Sequence, residues 1–349
     1  MQIPTGNLAP LPAVTVDAPA RLHLGFLDPN GTLGRPFGSI GVTVDGRGTR
    51  LTMRRAAQTR IEGARSDAEL ARIEQYLALL RAQWNGPQIA VELLRAPRAH
   101  TGLGSGTQLA LAIGTAYARL AGKAASTAEL AHLLGRGARS GIGILGFDHG
   151  GLIVDGGPGP HSHSDGAGLA EPHVPPLLFR QPFPDAWRIL LIDDTHREGL
   201  HGDSERRGLA ALSPFPETLA AHLCHLVLLR VLPGIAEGDF DAFAGGITEL
   251  QQTIGEYFAP VQGGVFASPA VATALDAVAL TQAAGIGQTS WGPTGFAFLR
   301  DQDDASRALG AAQDATRGMP GIVCSVVTGR NRGATLRAVD LQQCGVDAG

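Results

Sequence analysis

The chain reads as an α+β protein folded in two lobes, and three observations predict this. A short apolar strand, a glycine-rich loop and an apolar helical run follow one another over residues 89–121. A stretch rich in proline, glycine and histidine over residues 158–185 breaks both helix and strand and divides the chain. Strand patterns alternate with helical ones on either side of it. With 349 residues, 44% of them hydrophobic, there is enough apolar surface for a large core. The expected division is a first domain over 13–157, a linker over 158–185 and a second domain over 186–340.

In chain order, the first element is a strand around Ala18–Asp28. Its alternation places Arg21 and His23 on one face and Leu22 and Leu24 on the other. An arginine fork binds carboxylate or phosphate in bidentate fashion, so this face is the first candidate for gripping an anion. A surface ion pair for Arg21 and a satisfied core position for His23 are the alternatives.

Ile89–Leu94 follows as a strand, with Pro97 outside its ladder. The loop Thr101-Gly102-Leu103-Gly104-Ser105-Gly106-Thr107-Gln108 then feeds a helix over Leu109–Ala121. Three glycines in five residues let backbone fold around an anion, and the helix aims its N–H groups and positive dipole end at the same place. Gly102, Leu103, Gly104, Ser105, Gly106 and Thr107 are therefore read as a phosphate cradle. No Lys-Ser or Lys-Thr pair closes the loop, which excludes a Walker A site. A dinucleotide fingerprint fails because Thr107 stands where its last glycine belongs and five residues separate strand from loop.

Next, a glycine-rich run over 139–157 carries Ser140, Asp148 and His149. The last two sit between bends, suited either to magnesium or a substrate amine, or to a turn whose acid bonds its own backbone. After the linker, a strand at Ile189–Ile192 ends in Asp193 and Asp194, superficially similar to the loop that holds ribose hydroxyls in phosphoribosyltransferases, though the Thr-Gly turn is missing. His201 lies in the polar stretch behind it. Helices are expected around Leu219–Leu232 and Phe240–Tyr257, and strands at Phe296–Leu299 and Cys324–Thr328. The turn Gly285–Gly295 contains Trp291 and Thr294. Trp291 is placed either to wall an aromatic pocket or as a packed anchor.

Three of these segments resemble the ordered motifs of the GHMP kinase superfamily. Ala18-Pro19-Ala20-Arg21-Leu22-His23-Leu24 is similar to its first motif, Gly102-Leu103-Gly104-Ser105 to its second, and the 285–295 turn to its third. The resemblance implies a two-lobed fold, an N-terminal lobe like ribosomal protein S5 and a C-terminal ferredoxin-like lobe. Kinases of the superfamily carry Ser-Gly-Ile-Asp, whose aspartate takes the proton from the attacking hydroxyl; here Ser140-Gly141-Ile142 is followed by Gly143. Loss of a general base removes about 10²–10⁴ of rate, so the fold is expected without the kinase activity.

The run Arg139–Gly157, with the loop and Ser290-Trp291-Gly292-Pro293-Thr294, resembles a non-kinase branch, the β-ribofuranosylaminobenzene 5′-phosphate synthases. That resemblance implies phosphoribosyl pyrophosphate as donor and 4-aminobenzoate, or 4-hydroxybenzoate, as acceptor. Carbon dioxide and pyrophosphate are released in tetrahydromethanopterin biosynthesis. It further implies Mg²⁺, with no ligands assigned, and a homodimer. Arg21, His23, Asp148 and Trp291 are the expected catalytic residues, and Ser140, His149, Asp193, Asp194, His201 and Thr294 the expected substrate contacts. The alternatives are a small-molecule kinase using ATP, with Asp148 or Asp155 as base, and an inactive ligand-binding homologue.

Net charge is −4, with no basic cluster beyond short pairs, which argues against nucleic-acid partners. Apolar stretches are expected to be interrupted before the roughly 20 residues of a membrane span. Cys224, Cys324 and Cys344 have no CxxC spacing and suit a reducing cytoplasm.

Overall fold

The computed structural model describes residue 9 and residues 11–159, 174–200, 202–290 and 292–339. Strands β1 (Ala13–Asp28) and β2 (Phe37–Arg55) form a long antiparallel pair at the centre of the first sheet. Beside them lie β3 (Arg60–Glu62), β4 (Ile89–Arg95), β5 (Leu152–Asp155), β6 (Leu177–Gln181) and β11 (Thr335–Ala338), in the order β11-β1-β2-β4-β3 with β5 and β6 branching from β2. The second sheet runs β10 (Ile322–Val327), β7 (Arg188–Asp194), β9 (Thr294–Leu299), β8 (Gly285–Gln288).

Helices α1 (Asp67–Trp84), α2 (Ser105–Ala121), α3 (Thr127–Leu133) and α4 (Ile142–His149) pack with the first sheet. The helix α2 is buried on nearly every side, so its apolar run reads as a core helix, not an amphipathic one. In the second lobe come α5 (Gly202–Ala211), α6 (Glu217–Leu226), a π-helical turn (Val227–Val231), α7 (Leu232–Glu237), α8 (Phe240–Gln262), α9 (Pro269–Thr281) and α10 (Gln302–Ala315). Ser66, Ser126, Asp239, Ser268 and Asp301 cap α1, α3, α8, α9 and α10 with side-chain oxygens, each satisfying helix-end N–H groups.

One buried cluster joins the lobes. Leu22, Leu24, Ile40 and Val42 of the first sheet pack with Phe243 and Ile247 of α8 and Phe296 and Phe298 of β9. The cleft between the lobes is therefore walled by a continuous core.

Three expectations are corrected. The stretch 158–185 is not linker throughout: Leu177–Gln181 zips antiparallel onto β5, and Phe183 is buried in the shared core. Between Pro176 and Pro182 lie five residues without proline, and that is long enough for a strand. The tail of the second domain returns to the first sheet, where Thr335–Ala338 pairs with β1. Residues 217–237 form one continuous helical segment of 21 residues whose most apolar 18-residue stretch has mean hydropathy 1.7, long and apolar enough to cross a membrane by length and composition. Here one side, Leu223, Val227 and Val231, is buried in the shared core, while Leu228 and Leu229 are exposed.

Candidate active site

The glycine loop is stitched to both lobes. Arg21 N–H donates to the Leu103 carbonyl at 3.1 Å, and the Arg21 guanidinium donates through Nη1 to the Gly102 carbonyl. From the second lobe, Thr289 Oγ1 donates to the same Gly102 carbonyl at 2.8 Å and accepts from His23 N–H at 2.9 Å. Ser290 N–H donates to the His23 carbonyl at 3.0 Å. The three segments with superfamily resemblance thus meet at one point.

Glycine is required at two loop positions. Gly102 and Gly104 have φ of 86° and 75°, and a Cβ would strike the Thr289 carbonyl at the first and Arg21 Cγ, at 2.9 Å, at the second. Gly104 is the N-cap of α2 and offers no capping side chain; no acid occupies the first turn. The N-terminus of α2 is left open for an anion.

Around it lies a cleft of about 470 Å³. Arg21, Arg72, Arg136 and Arg139 line it with His23, His100, Ser140 and the glycine loop, and no carboxylate among the described residues does. Arg136 sits on Thr107, with Nε and Nη2 at 3.3 and 3.2 Å from Oγ1. Burial, with Arg136 nearby, pushes the Arg21 guanidinium down to about 10. Burial and the cations Arg21 and Arg139 hold the His23 imidazole well below its usual range, so it is neutral at pH 7. Arg21 Nε and both His23 ring nitrogens are buried with no hydrogen-bond partner among the described residues. Concentrated positive charge, unfilled donors and an open helix end give this cleft the chemistry that suits a polyanion.

Arg21 and His23 reach it together because they stand two apart on one face of the regular stretch of β1, whose register with β2 shifts only before it, between Ala18 and Ala20, and after it, between His23 and Gly25. Ser140 also lines the cleft, held at 2.7 Å by Ser39 Oγ.

Other expected residues lie elsewhere. Asp148 accepts from Thr127 Oγ1 at 2.6 Å, and burial pushes its carboxyl up; the helical turn of α4 carries it away from the loop. His149 ends α4 as an exposed residue. Asp193 accepts from Thr294 Oγ1 at 2.7 Å across the β7–β9 ladder, which accounts for both residues. Asp194 accepts from Ser268 Oγ at 2.7 Å and from His196 N–H at 3.0 Å. Trp291 and His201 lie outside the described residues.

Asp155 collects hydrogen bonds from Ser39 Oγ, Ser140 Oγ, Gly141 N–H and Gly157 N–H, and so shapes the cleft wall from behind. At Gly143 a Cβ would come within 3.0 Å of Thr107 Cγ2. Thr107 fills the space that an aspartate there would use.

Sequence reading missed Arg72, Arg136, Arg139 and His100 as residues lining the cleft. The one available signal was Gly135-Arg136-Gly137-Ala138-Arg139, two arginines on a glycine-bracketed loop ahead of Ser140. Magnesium binds hard oxygen ligands, chiefly carboxylates and waters. The cleft's guanidinium, imidazole, amide and hydroxyl groups do not fit a protein-held magnesium ion.

Residues 71–151 match the GHMP kinases N terminal domain and residues 231–317 the GHMP kinases C terminal domain. The β-ribofuranosylphenol 5′-phosphate synthase of Methanothermobacter thermautotrophicus is 31% identical over 91% of this chain and 97% of its own length. That of Archaeoglobus fulgidus is 33% identical over 67% of this chain and 74% of its own. Among solved structures, Streptococcus pneumoniae phosphomevalonate kinase superposes with a TM-score of 0.64 at 12% identity, over 92% of this chain and 100% of that one. Mevalonate diphosphate decarboxylase from Staphylococcus aureus gives 0.62 at 14%, over 94% and 98%. The fold is the two-lobed α+β fold of the GHMP superfamily.

Proposed function

Because the chain belongs to the β-ribofuranosylphenol 5′-phosphate synthase family of pentosyl-transferring enzymes, we propose that it performs a decarboxylating phosphoribosyl transfer. The donor is phosphoribosyl pyrophosphate and the acceptor 4-aminobenzoate, in tetrahydromethanopterin biosynthesis. 4-Hydroxybenzoate is the counterpart acceptor matching the phenol in the relatives' name.

The observation that carries the reading is a cleft with four arginines, an open helix end and, among the described residues, no carboxylate in its lining. The bond from C1′ to the pyrophosphate oxygen breaks, and its electron pair leaves with the pyrophosphate. Arg21, Arg136, Arg139 and the N–H groups at the start of α2 stabilise that developing charge. The ring carbon bearing the carboxylate attacks C1′; the C–CO₂ bond then returns its pair to the ring as carbon dioxide departs. No proton is removed at that carbon, so no strong base is needed there. Neutral His23, and a lining that holds no carboxylate among the described residues, agree with this. Magnesium is proposed only as a counter-ion on the phosphate oxygens, and no step depends on it here.

A kinase lacks its base: Gly143 has no side chain, and Asp148 and Asp155 are tied to internal partners. The test is incubation with phosphoribosyl pyrophosphate and carboxyl-labelled 4-aminobenzoate or 4-hydroxybenzoate, with ATP as control. Donor-dependent labelled carbon dioxide supports the reading. Phosphate transfer from ATP to an alcohol, or ligand binding without turnover of either acceptor, overturns it.

A further inference from the structure

A second, smaller cavity opens off the cleft. His23, Phe26 and Ser290 line both, so they form the doorway. Behind them the walls are Leu24 and Gly25 of β1, Ile254, Gly255 and Phe258 of α8, and Val265. At Gly25 a Cβ would collide with Ile254 Cδ1, so the bare backbone there lets α8 close the wall.

The polar groups inside are locked by each other. Gln251 accepts from Gln288 N–H at 2.8 Å and donates to the Leu24 carbonyl; Gln288 donates to Gln262 Oε1 at 2.8 Å and accepts from Ala267 N–H at 2.8 Å. An amide oxygen keeps a second lone pair, so these positions can accept from an amine or a phenol without rearranging.

Size decides what enters. The annex holds about 40 Å³. One water needs about 10–15 Å³ of such space, whereas a cavity that takes a whole benzene is roughly 150 Å³. A para substituent and the adjoining ring edge fit; a complete ring does not.

We propose that the annex is the acceptor's para-substituent pocket: the aromatic acid enters edge first, its amine or hydroxyl inside, its carboxylate and the carbon that bears it held at the doorway in the arginine cleft. This rests on the reaction proposed above. The two unpartnered ring nitrogens of His23 lie at that doorway, and the imidazole is steadied edge-on against Phe26 at 4.7 Å. A neutral imidazole offers one donor to the carboxylate without the charge that would trap it. The arrangement also sets which atom attacks. With the amine enclosed on the far side of the doorway, the ring carbon and not the nitrogen faces C1′.

Ile254 lines the annex and not the cleft, so it separates the two sites. Ile254→Phe fills the annex and Ile254→Ala enlarges it. The measurements are acceptor KM, calorimetric binding of 4-aminobenzoate and 4-hydroxybenzoate, and calorimetric binding of phosphoribosyl pyrophosphate alone, with melting curves to confirm folding. The expected result for Ile254→Phe is a rise of about tenfold or more in KM and Kd for both acceptors, with donor affinity unchanged. For Ile254→Ala, 4-methoxybenzoate gains as a competitor relative to 4-hydroxybenzoate. Turnover in the wild type with acceptor KM unaffected by either variant overturns the annex and leaves the reaction standing. Acceptor binding that Ile254→Phe abolishes, in a protein that never consumes the donor, keeps the annex and overturns the reaction. A wild-type protein that neither binds nor turns over the acids overturns both.

Discussion

The front and back of the glycine loop are both rich in arginine, yet they are built differently. At the front, Gly102 and Gly104 face a cleft lined by Arg21, Arg72, Arg136 and Arg139 with no carboxylate in its lining among the described residues, and there Arg21 Nε and both His23 ring nitrogens have no hydrogen-bond partner. At the back, Thr101 and Leu103 face a cavity lined by Arg47, Arg65, Arg95, Arg98 and Asp193. There Arg47 pairs with Asp193 at 3.6 Å and Arg95 with Asp17 at 3.5 Å. Arg98 donates to the carbonyls of Thr195, Asp194 and Arg197 at 2.6, 2.9 and 3.0 Å. The same residue type lines an open cleft on one side and serves as a structural tie on the other. Unmet hydrogen-bonding capacity, and not the count of charges, separates the two.

The largest effect that tests this contrast is expected at Arg136. Arg136→Ala should lower kcat/KM for the donor by about 10²–10³, the usual loss for one transition-state donor. Because the arginine repels Arg21, the melting temperature should hold or rise. A fall in both would make Arg136 a structural tie like those at the back.

Arg98→Ala should give the opposite pattern. Three carbonyls lose a donor, costing about 1–3 kcal/mol in urea denaturation, while donor affinity by calorimetry stays put. Loss of donor affinity in a folded Arg98→Ala protein would erase the distinction.

Gly143→Asp sharpens the same boundary within the cleft. Crowding against Thr107 should cost about 1–3 kcal/mol, and no phosphate transfer from ATP should appear, since a carboxylate alone does not remake a kinase site. ATP-dependent phosphorylation of an alcohol would show that only the base is missing.

The smallest effect is the pH dependence of His23. Its folded pKa is depressed by burial and then by Arg21 and Arg139. Above about pH 6.5 both states hold it neutral and nothing is lost; below, the unfolded chain binds a proton that the folded one does not, so stability falls as pH drops towards the depressed value. His23→Asn should flatten that slope between about pH 7.5 and about pH 5 in urea titrations. An unchanged slope would mean another group sets it.

Much of this molecule could be read along the chain because its cues are local. The α2 run, the glycine pattern of 102–106 and the strands at 189–192 and 296–299 each follow from residue type and spacing. Arg21 and His23 were legible for the same reason, two positions apart on one strand face. Asp148, Asp193 and Asp194 were misleading because an acid in a glycine-rich turn or at a strand end looks the same whether it meets ligand or protein. Thr127, Thr294 and Ser268, 21, 101 and 74 residues away, decided that. The strand at 177–181 was hidden by its proline-rich surroundings, since pairing with β5 is a property of the partner and not of the segment.

Taken alone, the amino-acid order determined the fold class, the glycine loop that leads into α2 and the lack of a side chain at Gly143, all features of short-range geometry or of a single residue. Tertiary structure decided which charges line the cleft. It brought Arg136 and Arg139 over the end of α2, turned the paired acids inward, and opened the annex between β1 and α8. Those outcomes depend on where distant segments pack, because hydrogen bonds and desolvation act over a few ångströms in space, whatever the separation along the chain.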